Sequence, residues 1–236
     1  MTKRILVVGG CPRSGTTALV RLLNTHPHVL IGDERYYWRF DQNRVDERLF
    51  ERDRFLDLRE EDRHWREGRA PFPGGDTGAA FDAARIVGDK FPRLAQVADH
   101  LAETLPDAQL LYIVRNPLSV IESYEARRRD EADHWPFGAE RGLADWNDGV
   151  RAARGAGPRA IVVTYERLFG PDADPARLFE ALDLDPALAA PAEVLNRAAS
   201  LRQREGLRCE TTRFLVAQHG DWEAYQDVAS RRCLYA

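Results

Sequence analysis

Five short apolar runs punctuate an otherwise polar chain: Ile5-Leu6-Val7-Val8, Val29-Leu30-Ile31, Ile86-Val87, Leu110-Leu111-Tyr112-Ile113-Val114 and Ala160-Ile161-Val162-Val163. Runs of this length without polar alternation predict strands buried on both faces. We place them near residues 4–9, 29–31, 85–88, 110–114 and 160–163. Between them the apolar residues take helical spacing, as in Leu19, Leu22 and Leu23, or Leu94, Val97, Ala98 and Leu101. The spacing predicts helices near 15–25, 93–104, 117–128, 141–154, 174–183, 190–199, 211–218 and 221–231. Strands alternating with helices in this way predict an α/β fold. The expectation is one domain over residues 1–236, a central parallel sheet of about five strands covered by helices on both faces.

Two stretches break the pattern. Residues 36–67 carry many aromatics (Tyr36, Tyr37, Trp38, Phe40, Phe50, Phe55, Trp65) beside an imperfect helical stripe, and predict one or two helices flanking an acceptor pocket, with most of the aromatics packing and a few facing the substrate. Residues 68–80 hold four glycines and two prolines and read as a loop, as do residues 130–140.

Composition adds limits. A net charge of −4 gives no electrostatic footprint for nucleic acid or an anionic membrane. No apolar run is long enough for a signal or a membrane span. The three cysteines, Cys11, Cys209 and Cys233, form no disulfide framework and fit a reducing compartment. The expectation is a cytoplasmic protein. Lysine occurs only at Lys3 and Lys90, although Lys+Arg total 34. A genome rich in G and C explains that bias. An isolated internal lysine is still a candidate for a role that arginine cannot fill, because its ammonium is compact and gives up a proton.

The chemistry starts at Gly9-Gly10-Cys11-Pro12-Arg13-Ser14-Gly15-Thr16-Thr17, between the first strand and the first helix. A glycine-rich loop opening a helix directs backbone N–H groups at one point and binds an anion there. The spacing Gly10-x-x-x-x-Gly15 is that of a phosphate-cradling P-loop, but Thr16 stands where such a loop has its lysine. Arg13 inside the loop suits a shorter anionic tail than a triphosphate. Later, Arg115-Asn116-Pro117 follows the fourth strand, and Ser123 lies two helical turns beyond Arg115. The arginine and serine either bracket a phosphate, or sit in a surface ion pair and face solvent. Asp33 and Glu34, at the end of the second strand, either face the ligand crevice of an open α/β sheet or are solvated loop residues.

The form Pro12-Arg13-Ser14-Gly15-Thr16-Thr17 resembles the 5′-phosphosulfate loop of sulfotransferases, which use 3′-phosphoadenosine 5′-phosphosulfate (PAPS). Val114-Arg115-Asn116-Pro117 with Ser123 is similar to that family's 3′-phosphate motif. Gly32-Asp33-Glu34 and Gly88-Asp89-Lys90-Phe91-Pro92 look like the base-bearing and lysine-bearing segments of the tyrosylprotein sulfotransferases. Thr164-Tyr165-Glu166-Arg167-Leu168 is similar to a further segment of the family. The resemblance covers roughly residues 4–183. It implies that Arg13, Ser14, Gly15, Thr16, Thr17, Arg115 and Ser123 bind PAPS, and that no metal is needed. It also implies catalysis by Arg13, by Glu34 as general base and by Lys90 at the leaving oxygen. Asp33, His64 and His134 are alternative bases. The aromatic segment 36–67 and the loop 130–140 suggest a small-molecule hydroxyl acceptor (a secondary metabolite, sugar, lipid or phenol), and the charge balance suggests no nucleic-acid or membrane partner.

Two other readings stand beside it. A P-loop kinase would use Asp89 as a magnesium ligand; Thr16 in the lysine position and the Arg115/Ser123 pair weigh against it. A non-catalytic nucleotide-binding module would leave Glu34 and Lys90 idle.

Overall fold

The computed structural model describes residues 3–62, 70–133, 135–202 and 210–235. Strands β1 (Arg4–Gly10), β2 (Val29–Asp33), β3 (Ile86–Phe91), β4 (Gln109–Val114) and β5 (Ala160–Thr164) form one sheet in the order β2-β3-β1-β4-β5. Every pairing is parallel. The helices, in chain order, are α1 (Thr16–Leu23), α2 (Tyr37–Asp41), α3 (Arg52–Leu56), α4 (Thr77–Ala83), α5 (Ala98–Thr104) and α6 (Pro117–Arg129). They continue with α7 (Ala139–Gly155), α8 (Tyr165–Phe169), α9 (Ala176–Ala181), α10 (Ala192–Arg202), α11 (Glu210–His219) and α12 (Trp222–Asp227).

The period-two alternation of a strand assigns the core to two layers. Leu6 and Val8 of β1, Leu111 and Ile113 of β4 and Val163 of β5 pack with Leu19, Leu22 and Leu23 of α1 and Leu178 and Phe179 of α9. Val7, Val87, Tyr112 and Val162 point the other way, toward Tyr124 of α6, Trp146 of α7 and Phe40 and Phe55 of the aromatic segment. The sheet is thus covered on both faces, and the central run of each strand is apolar because neither face meets water there. Among the described residues, no helix is long and apolar enough to cross a membrane.

Strand order positions the site. From β1 the chain crosses toward β2 on one side, and from β4 it continues to β5 on the other. The crevice at such a reversal, beyond the carboxyl ends of the strands, is where open α/β sheets hold ligands. Here it receives the loop 11–15 from β1 and Arg115-Asn116 from β4.

Several boundaries differ from expectation. β2 runs to Asp33 and β3 to Phe91, because Gly32↔Asp89 and Asp33↔Lys90 stay paired beyond the apolar runs. Asp89 and Lys90 are therefore strand residues. The helix expected over 93–104 is a 3₁₀ turn, Leu94–Gln96, followed by α5. The supposed loop 68–80 includes the start of α4, where Asp76 accepts a hydrogen bond from Ala79 N–H (3.0 Å) and caps the helix. The aromatics of 36–67 do mostly pack, as expected: Tyr36, Phe40, Phe50 and Phe55 are buried and Tyr37 and Trp38 half-buried, while Trp65 lies outside the described residues.

Candidate active site

The loop after β1 is built by backbone conformations that few residues adopt. Arg13 has φ 72° and Gly15 φ 97°. A side chain at Gly15 would collide with the Tyr165 ring, at 2.5 Å from its Cβ, so only glycine fits there. No side chain caps α1, and its first turn holds no carboxylate. Its unpaired N–H groups and the positive end of its dipole therefore face the crevice.

That crevice is a cavity of about 360 Å³ lined by Arg13, Gly15, Thr16, Thr17, Arg115 and Ser123, with Arg21 from α1, Tyr165 from α8, and Glu193 and Arg197 from α10. Among the described residues, four guanidinium groups against one carboxylate, around an open helix N-terminus, make a site for a ligand with more than one negative charge. Arg13 and Ser123 meet directly: Arg13 Nε donates to Ser123 Oγ at 2.9 Å. Displacement of water by surrounding protein atoms, then the nearby Arg127 and Arg115, pull the Arg13 guanidinium below its ordinary pKa. An anion in the cavity would relieve that repulsion.

Arg115 is held on three sides. Its guanidinium stacks over Tyr165, 4.0 Å from the ring centre. Its carbonyl accepts from the Trp146 indole N–H at 2.9 Å. The next residue, Asn116, donates its N–H to Glu166 (2.8 Å) and caps α6 through Leu118 N–H (3.0 Å), with Pro117 in the first turn. The Tyr165-Glu166 pair therefore supports Arg115 from beneath and behind.

Ser14 stands apart from its neighbours. It is fully buried and does not line the cavity. Its N–H donates to the Cys11 carbonyl at 3.1 Å, which closes the turn inside the loop. Cys11 is buried too, and burial pushes its thiol well above the ordinary range, so it is a packing residue.

At one edge of the cavity Thr17 reaches Lys90. The Lys90 side chain is only 2% exposed. Its Nζ lies 2.6 Å from Asp33 Oδ1 and 2.7 Å from Glu34 Oε1, and donates to Thr17 Oγ1 at 3.1 Å. The parallel register that pairs Asp33 with Lys90 puts both side chains on one face of the sheet. Glu34 follows the strand in a left-handed turn, φ 61°. A lysine bound by two carboxylates and a loop hydroxyl can deliver positive charge to an oxygen arriving at Thr17, with a carboxylate beside it to take a proton. The two distances are similar, but only the Glu34 contact has hydrogen-bond geometry; Asp33 Oδ1 meets the ammonium as an ion pair without it.

Asp89 does not face the crevice. It is fully buried and accepts the N–H groups of Arg35 (2.9 Å) and Tyr36 (2.6 Å). This corrects its reading as a magnesium ligand in a kinase-like site. Among the described residues, no group of three His, Cys, Asp or Glu side chains is placed to hold a metal. His64, His134 and Cys209 lie outside the described residues. Sequence reasoning missed Arg21, Glu193 and Arg197, and noted Tyr165 only within a family-like segment, without a role at the site. Arg21 was detectable in principle, one helical turn after Thr17 on the same face. Arg197 arrives from a helix far along the chain and left no local signal.

The model of the sulfotransferase family matches residues 6–187, from β1 to the segment after α9. Protein-tyrosine sulfotransferase A of Caenorhabditis elegans is 26% identical over 209 residues, which cover 78% of this chain and 50% of the relative. A relative from Caenorhabditis briggsae matches at the same 26% identity, over 77% of this chain and 66% of its own length. The chain thus spans between half and two thirds of these curated relatives. A sulfotransferase from Alicyclobacillus acidocaldarius shares the fold, with a TM-score of 0.57 at 17% identity over 97% of this chain and 94% of that one. The matched span contains the arginine-lined loop, the Lys90 cluster and the Arg115 turn, and it is on this span that the chain belongs to the sulfotransferase family.

Proposed function

We propose that the protein transfers the sulfuryl group of PAPS to a hydroxyl of a small-molecule acceptor, giving adenosine 3′,5′-bisphosphate and a sulfate ester. The observation that carries this reading is Lys90, buried between Asp33, Glu34 and Thr17 at the edge of the arginine-lined cavity. The donor set fits PAPS. Arg13, Gly15, Thr16 and Thr17 would hold the 5′ end at the helix N-terminus, and Arg115 with Ser123 the 3′-phosphate. Ser14 would shape the loop from within rather than contact the donor.

Sulfuryl transfer parallels phosphoryl transfer, with in-line attack and a loose transition state. A sulfuryl group carries less negative charge than a phosphoryl group, so fixed cations suffice and no metal is required. Lys90 supplies charge to the bridging oxygen as its bond to sulfur breaks. Glu34 takes the acceptor's hydroxyl proton. Arg13 stabilises the group in flight. The reading takes residues 1–236 as one domain acting in the cytoplasm.

Half-buried aromatic side chains support a small acceptor. Tyr37 and Trp38 open α2, three and four residues after Glu34, and Trp135 and Phe137 pack edge to face at 5.2 Å in the loop before α7. The protein-tyrosine relative makes a peptide tyrosine the competing acceptor. Incubation with PAPS labelled in its sulfuryl group, against phenols, sugars and a tyrosine peptide, decides the matter. Label should move to a small hydroxyl compound, with or without EDTA. Transfer to the peptide alone would overturn the small-molecule acceptor, and absence of any transfer would overturn the activity.

A further inference from the structure

Asp89 is a fully buried acid that the proposed chemistry leaves unused. It sits in β3 one position before Lys90, and successive strand side chains leave opposite faces. Lys90 thus reaches the Glu34 carboxylate on one face while Asp89 engages the backbone that follows Glu34 on the other. Both Asp89 oxygens are used there: Oδ1 accepts Arg35 N–H and Oδ2 accepts Tyr36 N–H. Its partner across the ladder is Gly32. A Cβ on Gly32 would lie 2.6 Å from Asp89 Oδ1 and 2.7 Å from Arg35 Cβ, so the missing side chain is what lets the carboxylate into the turn.

Glu34 needs that support. A non-glycine residue at φ 61° is in a sparsely populated region, and persists where its surroundings fix it. We propose that Asp89 is a positioning residue for sulfuryl transfer: its carboxylate clamps the Arg35 and Tyr36 amides and so holds Glu34 in the left-handed turn that sets it against Lys90. The inference rests on the function proposed above. Burial pushes the Asp89 carboxyl up to about 7, against the pull of the backbone N–H groups of Tyr36, Arg35 and Lys90. Asparagine would bury more easily, but it has one acceptor atom for two donors, and its NH₂ would face a backbone N–H.

The test is Asp89→Asn, with Gly32→Ala as the second variant that pushes on the same clamp from the other strand. Each should lower kcat on the order of 10²-fold, the loss that a misplacement of about 1 Å can cause. The affinity for adenosine 3′,5′-bisphosphate should stay within about threefold, because the cavity residues are untouched. Asp89→Asn combined with Glu34→Gln should be no slower than Glu34→Gln alone, since both act through one group. Amide hydrogen exchange at Arg35 and Tyr36 should accelerate in Asp89→Asn, and that readout does not depend on the reaction. Turnover within about threefold of wild type, or losses that multiply in the double variant, would overturn the proposal. If wild type binds no bisphosphate and transfers no sulfuryl group, the function is wrong. The exchange measurement then still reports whether Asp89 holds the turn, and unchanged exchange would refute the clamp itself. Should Asp89→Asn fail to fold, Gly32→Ala carries the kinetic comparison.

Discussion

Lys90→Ala should lower turnover by on the order of 10²–10³-fold, the range found when one preorganised donor to a developing oxyanion is removed. The charge is most needed in the transition state, so the loss should fall on kcat and leave the affinity for adenosine 3′,5′-bisphosphate nearly unchanged. The buried setting sharpens the effect. At 2% exposure the ammonium is shielded from water that would otherwise screen it. The same setting makes Lys90 a structural cation. Its removal leaves Asp33 and Glu34, 15% and 20% exposed, facing each other without a counter-charge. Some thermal stability should be lost as well. Breaking a buried ion pair costs about 3–5 kcal/mol, and the partial exposure of these carboxylates places the loss below that range. Single-turnover kinetics on protein shown to be folded separates the two effects. Lys90→Arg should recover little turnover, since a guanidinium is a poor proton donor and its planar fork does not match a pocket shaped around one nitrogen. Turnover of Lys90→Ala within about threefold of wild type would remove the lysine from the chemistry.

Glu34→Gln should cost about 10²–10⁴-fold in turnover, the usual contribution of a general base. It keeps the side chain's shape, so donor binding should persist. The comparison that matters is Asp33→Asn. Both carboxylates touch the same ammonium, at 2.6 and 2.7 Å. Their backbones differ. Asp33 is still in the ladder, paired with Lys90, and its N–H donates to the Pro71 carbonyl at 2.8 Å. Glu34 lies past the strand in a strained turn, an arrangement that proteins concentrate at functional positions. We therefore expect Asp33→Asn to retain substantial turnover. If Asp33→Asn is the crippled variant and Glu34→Gln is active, the base is Asp33.

Much of this was legible in the sequence, for reasons that also mark where legibility ended. Parallel strands buried on both faces write continuous apolar runs, so all five strands were found. The loop was legible because its glycine spacing and Arg13 are contiguous. Strand ends were not, because Asp89 and Lys90 continue β3 through ladder pairing while reading as polar. The helix content of the aromatic segment was blurred for a related reason. Tyr36, Phe40, Phe50 and Phe55 pack on each other and on Phe91 across short helices and 3₁₀ turns, with no single amphipathic stripe. At the site, pairs set by sheet register, such as Asp33 with Lys90, need the strand order to be seen. The stacking of Tyr165 under Arg115 and the arrival of Arg197 need the packed fold.

The most direct test of the central claim is a thermal shift with nucleotides. Adenosine 3′,5′-bisphosphate should raise the melting temperature, because a ligand that binds only the folded state stabilises it by mass action, by about 2.7 kcal/mol at a hundred times its Kd. AMP, lacking the 3′-phosphate, should do much less, and EDTA should change nothing. Arg115→Ala should erase most of the difference between the two nucleotides, since a hydrogen bond to a charged group contributes about 1.5–3 kcal/mol. Greater stabilisation by ATP with magnesium than by the bisphosphate would contradict the account, and would make the cavity beside Thr16 and Thr17 a triphosphate site.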